Sequence, residues 1–119
     1  MATEIPREKW TDFFADLSEN RFGWETIVGV LPETVGDRFS VEGLPLDEIM
    51  FKPDAGKIEI SLGQNPVRHE SYKLADPVKV AFLDQGEDNV GVLEIEVRDG
   101  TKTLIELLNP VRASIGYAN

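Results

Sequence analysis

His69 is the one histidine of a chain with no cysteine, so no histidine pair, thiolate or sulfur-ligated metal is available to it. A lone imidazole acts as a general base only when a neighbouring carboxylate orients it. Glu70 is adjacent in sequence, but on a strand successive side chains point to opposite faces, so adjacency does not supply that support. Arg68, His69, Ser71 and Tyr72 nevertheless form the densest group of versatile polar side chains in the sequence. Arg68, His69 and Tyr72 are the candidate ligand-binding residues, set against the plainer reading of an ordinary exposed histidine. No residue is assigned a catalytic role.

Asp84, Glu87 and Asp88 fall in one polar run and form the candidate metal site, since carboxylates from a single loop suit a hard cation. The run lacks the alternating ligands and closing glutamate of a helix-loop-helix calcium site, and strand patterns flank it, which favours a solvated hairpin loop. Glu94, Glu96 and Glu106 come from neighbouring strand patterns. In some registers two of them approach closely enough for one to hold a proton, as acid/base hydrolases require. Glu94-Ile95-Glu96 is equally what a strand with one wet face looks like, and Lys102 is at hand to neutralise Glu96. Gly86, Gly91 and Gly100 are scattered around turns and make no phosphate cradle. No cofactor is implied.

These residues must be positioned by a helix and a set of strands. Between Pro6 and Asn20, Trp10, Phe13, Phe14 and Leu17 recur on one helical face, with Asp12, Asp16 and Glu19 left for solvent. Pro6 suits a first turn, Thr3 is a possible cap, and Asn20 with Gly23 supplies the stop. A helix so short is marginal by itself, so its aromatic stripe needs a sheet to cover it. Trp24 is likewise expected in the core.

Strand patterns follow at Trp24–Leu31, Arg38–Glu42, Leu46–Lys52, Lys57–Leu62, Val67–Leu74, Val78–Leu83, Val90–Arg98 and Thr101–Leu108. Gly43-Leu44-Pro45 breaks the second from the third. Leu46–Lys52 does not alternate cleanly and reads as a strand or an irregular edge, and Val111–Asn119 reads as a tail. The last hairpin carries the sharpest local signal. A three-residue connection, Arg98-Asp99-Gly100, pairs Ile95 with Thr103 and Leu93 with Ile105. A two-residue turn instead sets charges opposite the apolar row. The bulged three-residue form is preferred. The expected fold is one α+β domain over residues 1–119, an N-terminal amphipathic helix packed on a curved, mostly antiparallel sheet of about six or seven strands.

With 119 residues the chain has room for one core. The net charge of -10, from 22 acidic against 12 basic residues, repels phosphate backbones and anionic lipid, so neither nucleic acid nor membrane is an expected partner. No apolar run is long enough to cross a bilayer and the first residues lack an export signal, which points to the cytoplasm.

Ile5-Pro6-Arg7-Glu8 followed by Trp10, together with Asp99-Gly100-Thr101-Lys102-Thr103-Leu104, resembles a family of small bacterial proteins of unknown function. The resemblance spans nearly the whole chain. It implies one shared compact domain and transfers no activity, substrate or cofactor. The leading expectation is therefore a non-enzymatic acidic binding or regulatory module whose partner is a protein or a second copy. The rivals are a small hydrolase or isomerase using His69 or a carboxylate, and a small-molecule carrier with a cavity between helix and sheet.

Overall fold

The structure, a computed structural model, describes residues 3–34, 37–65, 68–84 and 90–108. The chain begins with a two-residue strand, β1 (Thr3–Glu4), passes Pro6, and makes a 3-10 turn over Arg7–Lys9 before helix α1 (Trp10–Asn20). Helical structure thus starts at Arg7 in a tighter winding, and Thr3 belongs to a strand instead of capping the helix. At the far end the Arg21 amide donates to the Leu17 carbonyl at 2.9 Å. Gly23 then takes a φ of 82°, the left-handed conformation that costs glycine least, and turns the chain into the sheet.

The expected face of α1 is the buried one: Trp10, Phe14 and Leu17 are at most 3% exposed, while Phe13 is half-buried. Trp10 meets Phe51 edge-on at 5.0 Å, and Phe13 meets Phe82 in the same way at 5.7 Å. Trp24 is only half-buried, with the Arg21 guanidinium 4.9 Å above its ring. Among the described residues no helix is long and apolar enough to cross a membrane.

The strands are β2 (Glu25–Thr34), β3 (Asp37–Lys52), β4 (Lys57–Asn65), β5 (Arg68–Ala75), β6 (Pro77–Asp84), β7 (Val90–Val97) and β8 (Lys102–Leu108). With β1 they form one sheet in the order β1-β6-β7-β8-β2-β3-β4-β5, and every pairing is antiparallel. This corrects the expected curved sheet of about six or seven strands to an open one of eight. Its border strands, β1 and β5, pair only inward. Two departures from the eight strand patterns offset each other in that count, one strand gained and two segments fused. β1 is too short for any alternation to announce it. The segments on either side of Gly43-Leu44-Pro45 are a single strand, because Gly43, at φ 87°, is the extra residue between the Thr26–Leu44 and Ile27–Glu42 rungs and absorbs the irregularity as a bulge.

A second bulge explains the broken pattern after Pro45. Leu46 faces Leu62 and Glu48 faces Ser61, so Asp47 is the additional residue, and Leu46, Ile49 and Phe51 all reach the core despite their uneven spacing. Beyond Pro45 this half of β3 has run past its rungs with β2, and Ser18 of α1 serves its backbone instead. The Ser18 hydroxyl donates to the Ile49 carbonyl at 3.0 Å and accepts from the Ile49 amide at 2.9 Å. One continuous core joins Trp10, Phe14 and Leu17 to Ile49, Ile58, Ile60 and Leu62 on one side and to Leu93, Ile95, Ile105 and Leu107 on the other.

The β7–β8 register is the one that the bulged turn predicts. Leu93 faces Ile105, Ile95 faces Thr103 and Glu96 faces Lys102. Gly100 has φ 95°, its amide donates to the Val97 carbonyl at 2.9 Å, and the Thr101 amide donates to the Asp99 carboxylate at 2.9 Å. The tail at 111–119 lies outside the described residues.

Candidate functional site

β5 places the predicted ligand-binding residues on two different faces. His69 lies on the face turned away from the core, exposed, whereas Tyr72 sits opposite Ile60 at the rim of the core and is half-buried. Burial, and the charge of Glu70 after it, push the Tyr72 phenol above its ordinary value. The side chain of Arg68 lies outside the described part of β5.

His69 is engaged by residues that its own segment does not contain. Its Nε2 is 2.7 Å from the Ser61 hydroxyl on β4, and that hydroxyl donates to the Asp47 carboxylate at 2.9 Å. Ser61 has one proton to give, and Asp47, when ionised, only accepts. With the Ser61 proton directed at Asp47, the hydroxyl oxygen is left to accept from His69 Nε2–H. The order carboxylate, hydroxyl, imidazole differs from that of a serine hydrolase, where the imidazole sits in the middle and takes the hydroxyl proton. Nothing in the local sequence signals Asp47, which reaches Ser61 because the bulge in β3 frees it from the rungs. Ser61 was open to discovery, since a β4–β5 hairpin sets it near His69. The cavity beside this chain is shallow, about 110 Å³, with Ser61, Ser71, Lys73 and Glu59 in its lining. Lys52 at 3.2 Å and Lys57 at 3.4 Å hold the Glu59 carboxyl below its ordinary range, the Lys52 hydrogen bond foremost.

Of the predicted metal site, only Asp84 lies among the described residues. Asp84 ends β6, where the Arg21 guanidinium donates to it at 3.3 Å while lying over the Trp24 and Phe82 rings. Glu87 and Asp88 lie outside the described residues. Among the described residues, no group of three or more His, Cys, Asp or Glu side chains is placed to hold a metal ion.

Glu94, Glu96 and Glu106 all project from the face of the sheet turned away from α1. No two of them share a rung: Glu94 faces Leu104, Glu96 faces Lys102, and Glu106 faces Val92 and Ile27. Lys102 lies diagonally 3.9 Å from Glu94. The same face carries Leu83 opposite Val92, and these side chains, with Ile27 and Leu104, are half-buried only. Leu31, opposite Lys102, is 36% exposed. An antiparallel sheet with one wet face ordinarily turns polar residues outward, and this face mixes aliphatic side chains with the three glutamates and with Lys79 and Lys102, both opposite Glu96. Sequence reasoning found the glutamates but not their aliphatic neighbours, because Trp24–Leu31 is apolar on both faces and alternation did not show which side was inward.

Comparison with known proteins adds kinship and no activity. A protein of Aquifex aeolicus (strain VF5), described only as "Uncharacterized protein", is 24% identical over 108 residues, which cover 90% of this chain and 93% of that one. No solved structure matches. The model of the family of unknown function DUF5335 matches residues 1–114, and the chain belongs to that family.

Proposed function

We propose that the protein is a non-enzymatic binding module that docks a basic protein partner on the outer face of β6, β7, β8 and β2. The observation carrying this reading is the outward mixture of Leu83, Val92, Ile27 and Leu104 with Glu94, Glu96 and Glu106. Aliphatic side chains supply the area whose removal from water drives association, and the carboxylates select the sign of the partner. A net charge of -10 favours encounter with a cation-rich surface and opposes approach of a second copy.

The rival readings have less support. A hydrolase using His69 needs the imidazole between carboxylate and hydroxyl, and the hydrogen bonds run otherwise. A carrier needs an enclosed cavity between the buried face of the helix and the sheet, and Trp10, Phe14 and Leu17 fill that space. A cytoplasmic setting agrees with the lack of cysteine. Within this reading the Ile5-to-Trp10 segment and the Asp99-to-Leu104 hairpin are scaffold: Trp10 Nε1 donates to the Ile5 carbonyl at 2.8 Å, and the hairpin turn fixes which face Glu94 and Glu96 occupy.

The test is retention of native lysate proteins on immobilised wild type and on a Val92→Asp, Leu104→Asp variant, at low and high salt, with sedimentation of the free protein alongside. The reading expects basic proteins held by the wild type at low salt, released at high salt, and lost from the variant. Equal retention by both, or a wild-type dimer that the variant abolishes, would overturn it.

A further inference from the structure

We propose that the groove between β1 and α1 is a second docking site, built for an extended, lysine- or arginine-bearing peptide segment with apolar side chains between its charges. The groove is open to solvent along its length and spans about 510 Å³, against about 110 Å³ for the cavity lined by Ser61 and Ser71. Ile5, Pro6 and Phe13 give it apolar surface, and Glu4, Asp12 and Asp16 bring carboxylates from both walls, against one cation, Lys9.

The walls are fixed. Ile5 is held to the sheet by its amide, which donates to the Val80 carbonyl at 2.8 Å, and to the helix by its own carbonyl, which accepts from Trp10 Nε1 at 2.8 Å. Phe13 is braced edge-on by Phe14 at 5.4 Å and Phe82 at 5.7 Å, yet remains half-buried. A cleft held in this way loses little freedom when filled.

Two features select the occupant. Asp12 and Asp16 stand one helical turn apart on the exposed side of α1, a like-charge spacing that disfavours the isolated helix, and a cation between them relieves it. Among the described residues neither is in an ion pair, so both carboxylates are free for a ligand. β1 is also a border strand. Because Ile5 directs its amide at β6, alternation directs the backbone of Glu4 the other way, where an added strand finds main-chain partners. Apolar residues then meet Ile5 and Phe13 while lysines or arginines reach the carboxylates.

This site does not depend on the outer-face reading, and its test separates the two. The probe is a short peptide alternating lysine with valine, titrated into isotope-labelled full-length protein, with the glutamate–valine peptide as control. The expected result is saturable shifts of the Glu4, Ile5, Asp12 and Phe13 amides by the lysine peptide alone. Affinity should fall on the order of tenfold in an Asp12→Asn, Asp16→Asn variant and stay unchanged in the Val92→Asp, Leu104→Asp variant. The proposal is overturned if the lysine peptide does not bind, if both peptides bind equally, if the Asp12, Asp16 variant binds as well as wild type, or if the shifts centre on β7 and β8.

Discussion

The β7–β8 hairpin at the middle of the sheet and the β4–β5 hairpin at its border share one geometry and are held by different forces. In the first, Leu93, Ile95 and Ile105 are completely buried and each strand is paired on both sides. A slip of one residue would drive Glu94 and Glu96 into the core, so register and burial enforce each other. In the second, β4 contributes buried Ile58, Ile60 and Leu62, but β5 answers with half-buried Tyr72 and Leu74 and with the polar link from His69 through Ser61 to Asp47. Exposed hydrogen bonds contribute about 1 kcal/mol or less each, against several for a filled core position. The centre is therefore expected to carry global stability, and β5 to open before β7 and β8.

Ile105→Ala tests that contrast most strongly. It leaves a cavity between Leu93 and Val28 and is expected to cost about 2–5 kcal/mol in denaturant unfolding. Leu74→Ala, half-buried at a border that can relax, is expected to cost about 1 kcal/mol. Equal losses would show that the border is as firmly held as the middle. Gly100→Ala is next. A Cβ there meets nothing within 4 Å, so the cost is that of forcing alanine to a φ of 95° alone, about 1–2 kcal/mol, and it should appear without loss of the hairpin register by NMR.

How much of this was legible follows from the same contrast. The hairpin centred on Asp99-Gly100 declared its register, because only one loop length keeps Val97, Ile95 and Leu93 opposite uncharged partners. The aromatic face of α1 declared its burial for a similar reason, since a stripe of rings has few places to go. The bulges at Gly43 and Asp47 hid the rest. Each adds a residue and shifts the alternation, so a continuous β3 read as two pieces and Asp47 gave no sign of reaching Ser61. His69 was conspicuous by its rarity, but its partners come from two other strands. The apolar lining of the β1–α1 groove is likewise hidden in the sequence, because Phe13 belongs to the helical stripe that a core claims and a two-residue β1 shows no alternation.

Ser61→Ala sharpens the picture at the border. Removing the hydroxyl deprives His69 of its partner and Asp47 of a donor, all at a partly or fully exposed surface, so global stability should fall by about 1 kcal/mol or less. The local effect is larger in kind. Amide hydrogen exchange along β5 is expected to quicken while that of β7 and β8 stays unchanged. Equal quickening in both would show that the two hairpins open as a unit.

The smallest effect comes from acid. Glu59 on β4 and Asp99 in the β7–β8 turn both have pKa values lowered in the fold, Glu59 chiefly by its hydrogen bond to Lys52 and Asp99 chiefly by the Thr101 amide. A group whose folded pKa lies below its unfolded one contributes stability that is fully present above the unfolded value and is lost as pH falls through the folded value. Both contributions therefore disappear below the ordinary carboxylate range, and Glu59→Gln or Asp99→Asn should each flatten the acid limb of the stability profile slightly. Salt separates them. The Glu59 interactions are ion pairs at the surface and are screened, so in concentrated salt the Glu59→Gln profile should converge on that of wild type. The Asp99 interaction is a 2.9 Å hydrogen bond to a backbone amide within a tight turn, and the Asp99→Asn difference should persist. Measured as unfolding midpoints across acid pH at low and high salt, equal salt sensitivity of the two variants would mean that border and centre are held by the same kind of force at their surfaces.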